Sequence, residues 1–101
     1  MNAKNELKEA LKGKAKLKCA ILKYGNLTFK LNIGYNAMVL DTFFKSIDFD
    51  YDGCHELFGT IWLIDGSWLN RVEYDGGECW GHYYLPDIPN ELLNTTKPPN
   101  V

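Results

Sequence analysis

The run from Glu56 to Leu93, ELFGTIWLIDGSWLNRVEYDGGECWGHYYLPDIPNELL, constrains the fold more than any other part of the chain. Three stretches rich in aromatic and β-branched residues are separated by Asp65-Gly66 and Asp75-Gly76-Gly77. Such stretches, punctuated by Asp-Gly turns, read as antiparallel strands joined by tight hairpins. A three-stranded sheet has two faces, and a single helix covers only part of one. Some of Trp62, Trp68, Tyr74, Trp80, Tyr83 and Tyr84 should therefore remain accessible.

Upstream, Ala3, Leu7 and Leu11 recur at four-residue spacing and predict a short helix over 3–12, stopped by Gly13 and loosely docked for want of apolar anchors. Residues 14–23 alternate, with Leu17, Cys19 and Ile21 on one face and Lys16 and Lys18 on the other. Leu27, Phe29, Leu31 and Ile33 alternate in the same way, which predicts a hairpin. A three-residue loop, Tyr24 to Asn26, would set Ile21 opposite Phe29 and Cys19 opposite Leu31. A two-residue Gly25-Asn26 turn would set Ile21 opposite Lys30, so the longer loop is expected. Asn36 is a natural N-cap for a helix over 37–47, whose stripe of Leu40, Phe43, Phe44 and Ile47 should cover one sheet face.

A strand over 57–64 follows. A two-residue Asp65-Gly66 turn would pair Leu63 with Trp68 and Trp62 with Leu69. For the last hairpin a three-residue loop, with Val72 facing Trp80 and Trp68 facing Tyr84, avoids opposing Glu73 to Glu78 as a two-residue loop would. The last strand spans 78–85. Pro86 and Pro89 end the sheet, 91–93 allow one helical turn, and 95–101 form a frayed tail. The expected fold is a small single α+β domain over residues 1–94. Its order is α-β-β-α-β-β-β, an antiparallel sheet with one main helix packed on it.

At 101 residues the chain has the size of one domain, and its 46% apolar and 24% charged content is ordinary for a globular protein. No apolar run approaches the roughly 18 residues that a membrane helix needs, and the N-terminus lacks the apolar core of a secretory signal. Cys19, Cys54 and Cys79 are odd in number and widely spaced, which fits free thiols in a reducing compartment, and a cytoplasmic location is expected. The net charge is only −2, but residues 1–46 set nine lysines against Glu6, Glu9 and Asp41, whereas residues 47–101 set Arg71 and Lys97 against ten carboxylates. Such polarity favours electrostatic steering toward a charged partner.

Each candidate site has a bland counterpart. Asp48, Asp50, Asp52 and Gly53 match the opening of a calcium loop, but Gly59 stands where the bidentate glutamate belongs, and no metal is expected. Cys54-His55 and Cys79 with His82 could offer zinc ligands, yet strand alternation turns Cys79 and His82 to opposite faces, with Cys79 expected as a small buried hydrophobe. The glycines are turn glycines rather than a phosphate cradle, and His55 beside Asp52 and Glu56 is an ordinary surface cluster, so neither catalysis nor a cofactor is expected. Lys14, Lys16, Lys18, Lys23 and Lys30, with Lys12, could contact phosphates, but the aromatics that would stack bases lie in the acidic half, so direct nucleic-acid binding is not the leading expectation. The favoured surface is acidic and aromatic: Asp48, Asp50, Asp52, Glu56, Glu73, Asp75 and Glu78, with Trp68, Trp80 and Tyr84 as anchors. An uncovered sheet face would serve equally as a homodimer interface.

The segment ELFGTIWLIDGSW, with the later RVEYDGGECW and LPDIPNELL, resembles a family of small uncharacterised proteins encoded in bacteriophages and prophages. The likeness covers the C-terminal half closely and LKEALKGKAKLKCA and KSIDFDYD more loosely; Cys79 before Trp80 departs from the pattern. A phage setting implies a protein at work in a bacterial host cell. By analogy with anti-CRISPR proteins, it implies a non-enzymatic inhibitor that docks its acidic loops on a basic, nucleic-acid-binding surface of a CRISPR–Cas effector subunit or another host nuclease. The alternatives are a nucleic-acid-binding regulator using the lysine hairpin and a small metal-binding module.

Overall fold

Asparagine starts both main helices. Asn2 accepts a hydrogen bond from the Asn5 N–H at 3.0 Å, and Asn36 accepts one from the Val39 N–H at 2.9 Å, each satisfying a donor of a first helical turn. The helices are α1 (Ala3–Leu11) and α2 (Ala37–Ser46). Gly13, at φ +72°, lets the chain leave α1 in the left-handed region. The strands are β1 (Leu17–Tyr24), β2 (Leu27–Leu31), β3 (Leu57–Leu63), β4 (Trp68–Tyr74) and β5 (Gly77–Tyr83), and Asn90–Leu93 form a single turn, α3. This computed structural model describes residues 1–51, 57–74, 76–85 and 89–93. The expected tail, 95–101, lies outside the described residues, as do Asp52, Glu56 and Asp75.

The five strands form one antiparallel sheet in the order β2-β1-β3-β4-β5. The element order and α+β class are those expected. One face carries Leu17, Ala20, Leu22, Leu31, Leu57, Ile61, Leu63 and Leu69, which pack with Ala3 and Leu7 of α1, Phe43 of α2, Ile47 and Tyr51. Fully burying a side chain of leucine size contributes about 1.5–3 kcal/mol, so this layer dominates stability.

Two helices share the covered face, rather than one main helix. The expected loose docking of α1 is also corrected, because Ala3 and Leu7 are buried and the residues around them are tied across the chain. The Ala3 N–H donates to the Phe49 carbonyl at 2.9 Å, and the Tyr51 N–H donates to the Met1 carbonyl at 2.7 Å.

All three hairpin registers differ from expectation by one residue. Tyr24 pairs with Leu27 and Ile21 with Lys30, so the first turn is the two-residue Gly25-Asn26. The inward residues are Ala20 and Leu22 rather than Cys19 and Ile21, because an irregularity between Leu17 and Cys19 resets the alternation. In the second hairpin Trp62 pairs with Trp68 and Ile61 with Leu69. The Leu63 N–H donates to the Ser67 carbonyl at 2.9 Å, which leaves a three-residue loop with Gly66 at φ +88°. In the third, Tyr74 pairs with Gly77 and Val72 with Cys79, and Trp68 meets Tyr83 rather than Tyr84. Glu73 does oppose Glu78. Arg71, two residues earlier on the same face, approaches Glu78 Oε2 to 3.5 Å and offsets the repulsion.

Candidate functional site

The acidic segment after α2 is tied into the fold where it is described. Asn2 Nδ2 donates to Asp48 Oδ1 at 2.9 Å and to Asp50 Oδ1 at 3.1 Å, and Lys4 Nζ reaches Asp48 Oδ2 at 3.0 Å. The Asn2 hydrogen bond and the Lys4 ammonium hold the Asp48 carboxyl below its ordinary value. These two carboxylates fasten the start of α1. Among the described residues no group of three or more His, Cys, Asp or Glu side chains could hold a metal ion.

Glu78 and Trp80 turn to the helix side and meet Arg71. The Arg71 side chain is 4% exposed; its Nη1 donates to Glu6 Oε1 at 2.8 Å and its Nη2 to the Tyr51 hydroxyl at 3.0 Å. Tyr51 in turn donates to Glu6, and burial followed by that bond pushes its phenol well above its ordinary range. The guanidinium lies 5.1 Å from the centre of the Trp80 ring. A hollow of about 560 Å³ opens beside this network between α1 and the Cys79–Trp80 segment. Its acidic wall includes Glu6, which is already committed to Arg71 and Tyr51. The cluster is a buried clasp between α1, β4 and β5.

The second hairpin brings together Asp65, Ser67 and His82. Asp65 accepts from both the Ser67 hydroxyl and the Ser67 N–H, which lowers its pKa. His82 Nε2 lies 2.9 Å from Ser67 Oγ. With its one hydroxyl proton given to Asp65, Ser67 can only accept from His82. A nucleophilic serine needs the reverse, a histidine that takes its proton. Ser67 is moreover 3% exposed, so the trio braces the turn.

The opposite face of the sheet is different in kind. Strand pairing lines it with Cys19, Ile21 and Lys23 of β1, Lys30 of β2, Phe58, Thr60 and Trp62 of β3, Trp68, Asn70 and Val72 of β4, and Cys79 and Tyr83 of β5. None of these residues is buried. Cys19, Trp62, Trp68 and Tyr83 form one cross-strand row, in which the Trp68 and Tyr83 rings stack with centres 6.2 Å apart and planes 20° apart. Lys23 stands directly opposite Phe58, and Lys30 opposite Ile21. Two adjoining hollows, of about 390 and 380 Å³, share Cys19, Ile33 and Trp62, with Lys18 on one and Lys30 on the other. Among the described residues no strand position on this face carries a carboxylate.

The expected site residues thus divide among several places. Asp48 and Asp50 fasten α1, Glu78 and Trp80 join the Arg71 clasp, and Glu73 is exposed on the helix side. Asp52, Glu56 and Asp75 lie outside the described residues. Trp68 stands in the aromatic row, and Tyr84, 70% exposed, sits just beyond β5 against His82. Of the lysines, Lys18, Lys23 and Lys30 reach the helix-free side, while Lys14 caps the exit of α1 and Lys16 lies near Ile64 before β1. Cys79 is exposed on that face rather than buried, on the opposite side from His82. Sequence reasoning missed Phe58 and Trp62 as neighbours of the lysines, because the β1–β3 pairing that joins them is a long-range contact. Comparison with protein-family models, with curated proteins and with solved structures gives no match.

Proposed function

We propose that the chain is a non-enzymatic binding protein whose working surface is the helix-free face of its sheet. The observation that carries this reading is the uncovered aromatic row of Trp62, Trp68 and Tyr83, with Trp62 41% and Tyr83 40% exposed. Exposing large rings costs solubility, and tryptophan and tyrosine are the residues that contribute most to association when covered. The proposed setting, taken from the phage resemblance, is stoichiometric inhibition of a host defence complex such as a CRISPR–Cas effector or another nuclease. Asp48, Asp50 and Glu78 already have partners within the chain, so we place the main contact on the aromatic face rather than on the acidic loops.

The test is nuclease inhibition and co-elution with purified effector complexes, comparing the chain with its Trp62→Ala, Trp68→Ala double variant. Inhibition at near-equimolar protein that is lost in the double variant supports the reading. Inhibition that survives in a folded double variant removes this face as the working surface, and no inhibition of any effector removes the proposed setting.

A further inference from the structure

We infer that the helix-free face binds single-stranded nucleic acid, an inference that rests on this face being the working surface. Single-strand binders combine cations that follow the phosphate backbone with aromatic rings on which bases stack, and both must lie on one surface. In the chain the two sets are separated, with lysines early and aromatics late. The sheet joins them, since β1 lies between β2 and β3 and so sets Lys23 against Phe58 and Cys19 against Trp62.

Charge complementarity selects this occupant over an apolar protein surface. Lys18, Lys23 and Lys30 border the rings, and no described strand residue of the face is acidic, although the whole chain has a net charge of −2. The carboxylates of the sheet, Glu73 and Glu78, point to the other side. A bound strand would run its phosphates along the β1–β2 side and lay its bases toward Trp62, Trp68 and Tyr83. Asn70 lies on β4 in the cross-strand row next to these rings, paired with Thr60. Its Oδ1 accepts from the Thr60 hydroxyl at 2.6 Å, which directs its amide hydrogens away from Thr60 as donors for base edges.

The experiment titrates the full chain with fluorescein-labelled oligothymidylate and oligouridylate of about 12 nucleotides, within the footprint of such platforms. Duplex DNA of the same length and heparin are the comparison probes. Binding of the single strands should quench tryptophan emission. With three lysines engaged, the salt dependence should have a logarithmic slope of about −2, a loss of about 20-fold between 50 and 200 mM salt. Trp62→Ala should weaken binding about tenfold through lost stacking. Lys23→Gln with Lys30→Gln, at exposed positions that leave the core intact, should flatten the salt slope.

Heparin binding as tight as the single strands and unaffected by Trp62→Ala would overturn the inference in favour of plain polyanion attraction. Preference for duplex would overturn it as well. If the single strands fail to bind at 50 mM salt while the double tryptophan variant still abolishes nuclease inhibition, the inference falls and the face remains the working surface. If the variants change neither readout, both fall.

Discussion

Arg71 ties α1 to the sheet through a buried charge. It holds Glu6 and Glu78 and lies between the rings of Tyr51 and Trp80. Removing one member of a buried ion cluster leaves the others charged and uncompensated, a loss of about 3–5 kcal/mol. Arg71→Ala should lower unfolding stability by that order in urea titrations, and Glu6→Gln by less, since the amide can still accept from Arg71. Equal, small effects would show that the cluster is not the clasp described. Nothing local marks Arg71 in the sequence, because its partners Glu6, Tyr51 and Glu78 stand 65 and 20 residues before it and 7 after it. The opposed Glu73 and Glu78, disfavoured when taken as a pair, become acceptable once Arg71 is seen to share their face. Asp48 gives a pH signature. Its pKa falls below its ordinary 3.8 on folding, so its contribution is present above that value and lost as pH drops through the lower folded value. Asp48→Asn should therefore be less stable than the parent near neutrality, with the gap closing in urea titrations carried below pH 3.8. A gap that stays constant down to the acid limit would remove the Asn2 and Lys4 contacts as its cause.

At the level of elements, type and order were legible while register was not. The Asn36 cap and the stripe of Phe43 and Ile47 located α2, alternation located β1 and β2, and the Asp-Gly turns set off the last three strands. Register failed because each hairpin depends on something no local pattern displays. The irregularity between Leu17 and Cys19 reset β1, the Asp65 carboxylate braced a three-residue loop, and Arg71 allowed the tighter third turn. Gly59 shows the same limit. Within β3 it has φ +154°, and a side chain there would bring its Cβ to 2.3 Å from the Ile21 carbonyl oxygen. Gly59→Ala combines backbone strain with overpacking at the central β1–β3 pair and should cost on the order of 3 kcal/mol or prevent folding. Gly81→Ala meets only the side chains of Tyr83 and Val72, at 3.1 Å, and should cost about 1 kcal/mol, because both neighbours can shift. Paired denaturation curves decide the matter, and similar losses at the two sites would contradict the backbone argument.

Across the whole molecule, the two faces of the sheet differ in charge in a way that the chain halves do not show. The sequence shows a basic first half and an acidic second half, and that division led to an acidic-aromatic binding surface. Folding redistributes it, because the β1–β3 pairing joins strands of the two halves side by side and turns the lysines of β1 and β2 to the same side as Phe58, Trp62 and Trp68. The helix side receives Glu73 and Glu78, together with the carboxylates that fasten α1. A protein of net charge −2 thus carries a face with local positive potential, and tryptophans report on it. Trp62 is 41% exposed and Trp68 half-buried on that face, whereas Trp80 has its indole nitrogen buried on the other. Iodide should therefore quench the emission more efficiently than caesium, by about twofold at low ionic strength, and the difference should shrink above roughly 0.15 M salt as the lysine field is screened. Replacing Lys18, Lys23 and Lys30 with glutamine should equalise the two ions without moving the unfolding midpoint, since none of these side chains enters the core. Caesium quenching as strong as that of iodide in the parent protein would mean that the overall negative charge governs the face, and the case for an anionic ligand there would fail with it.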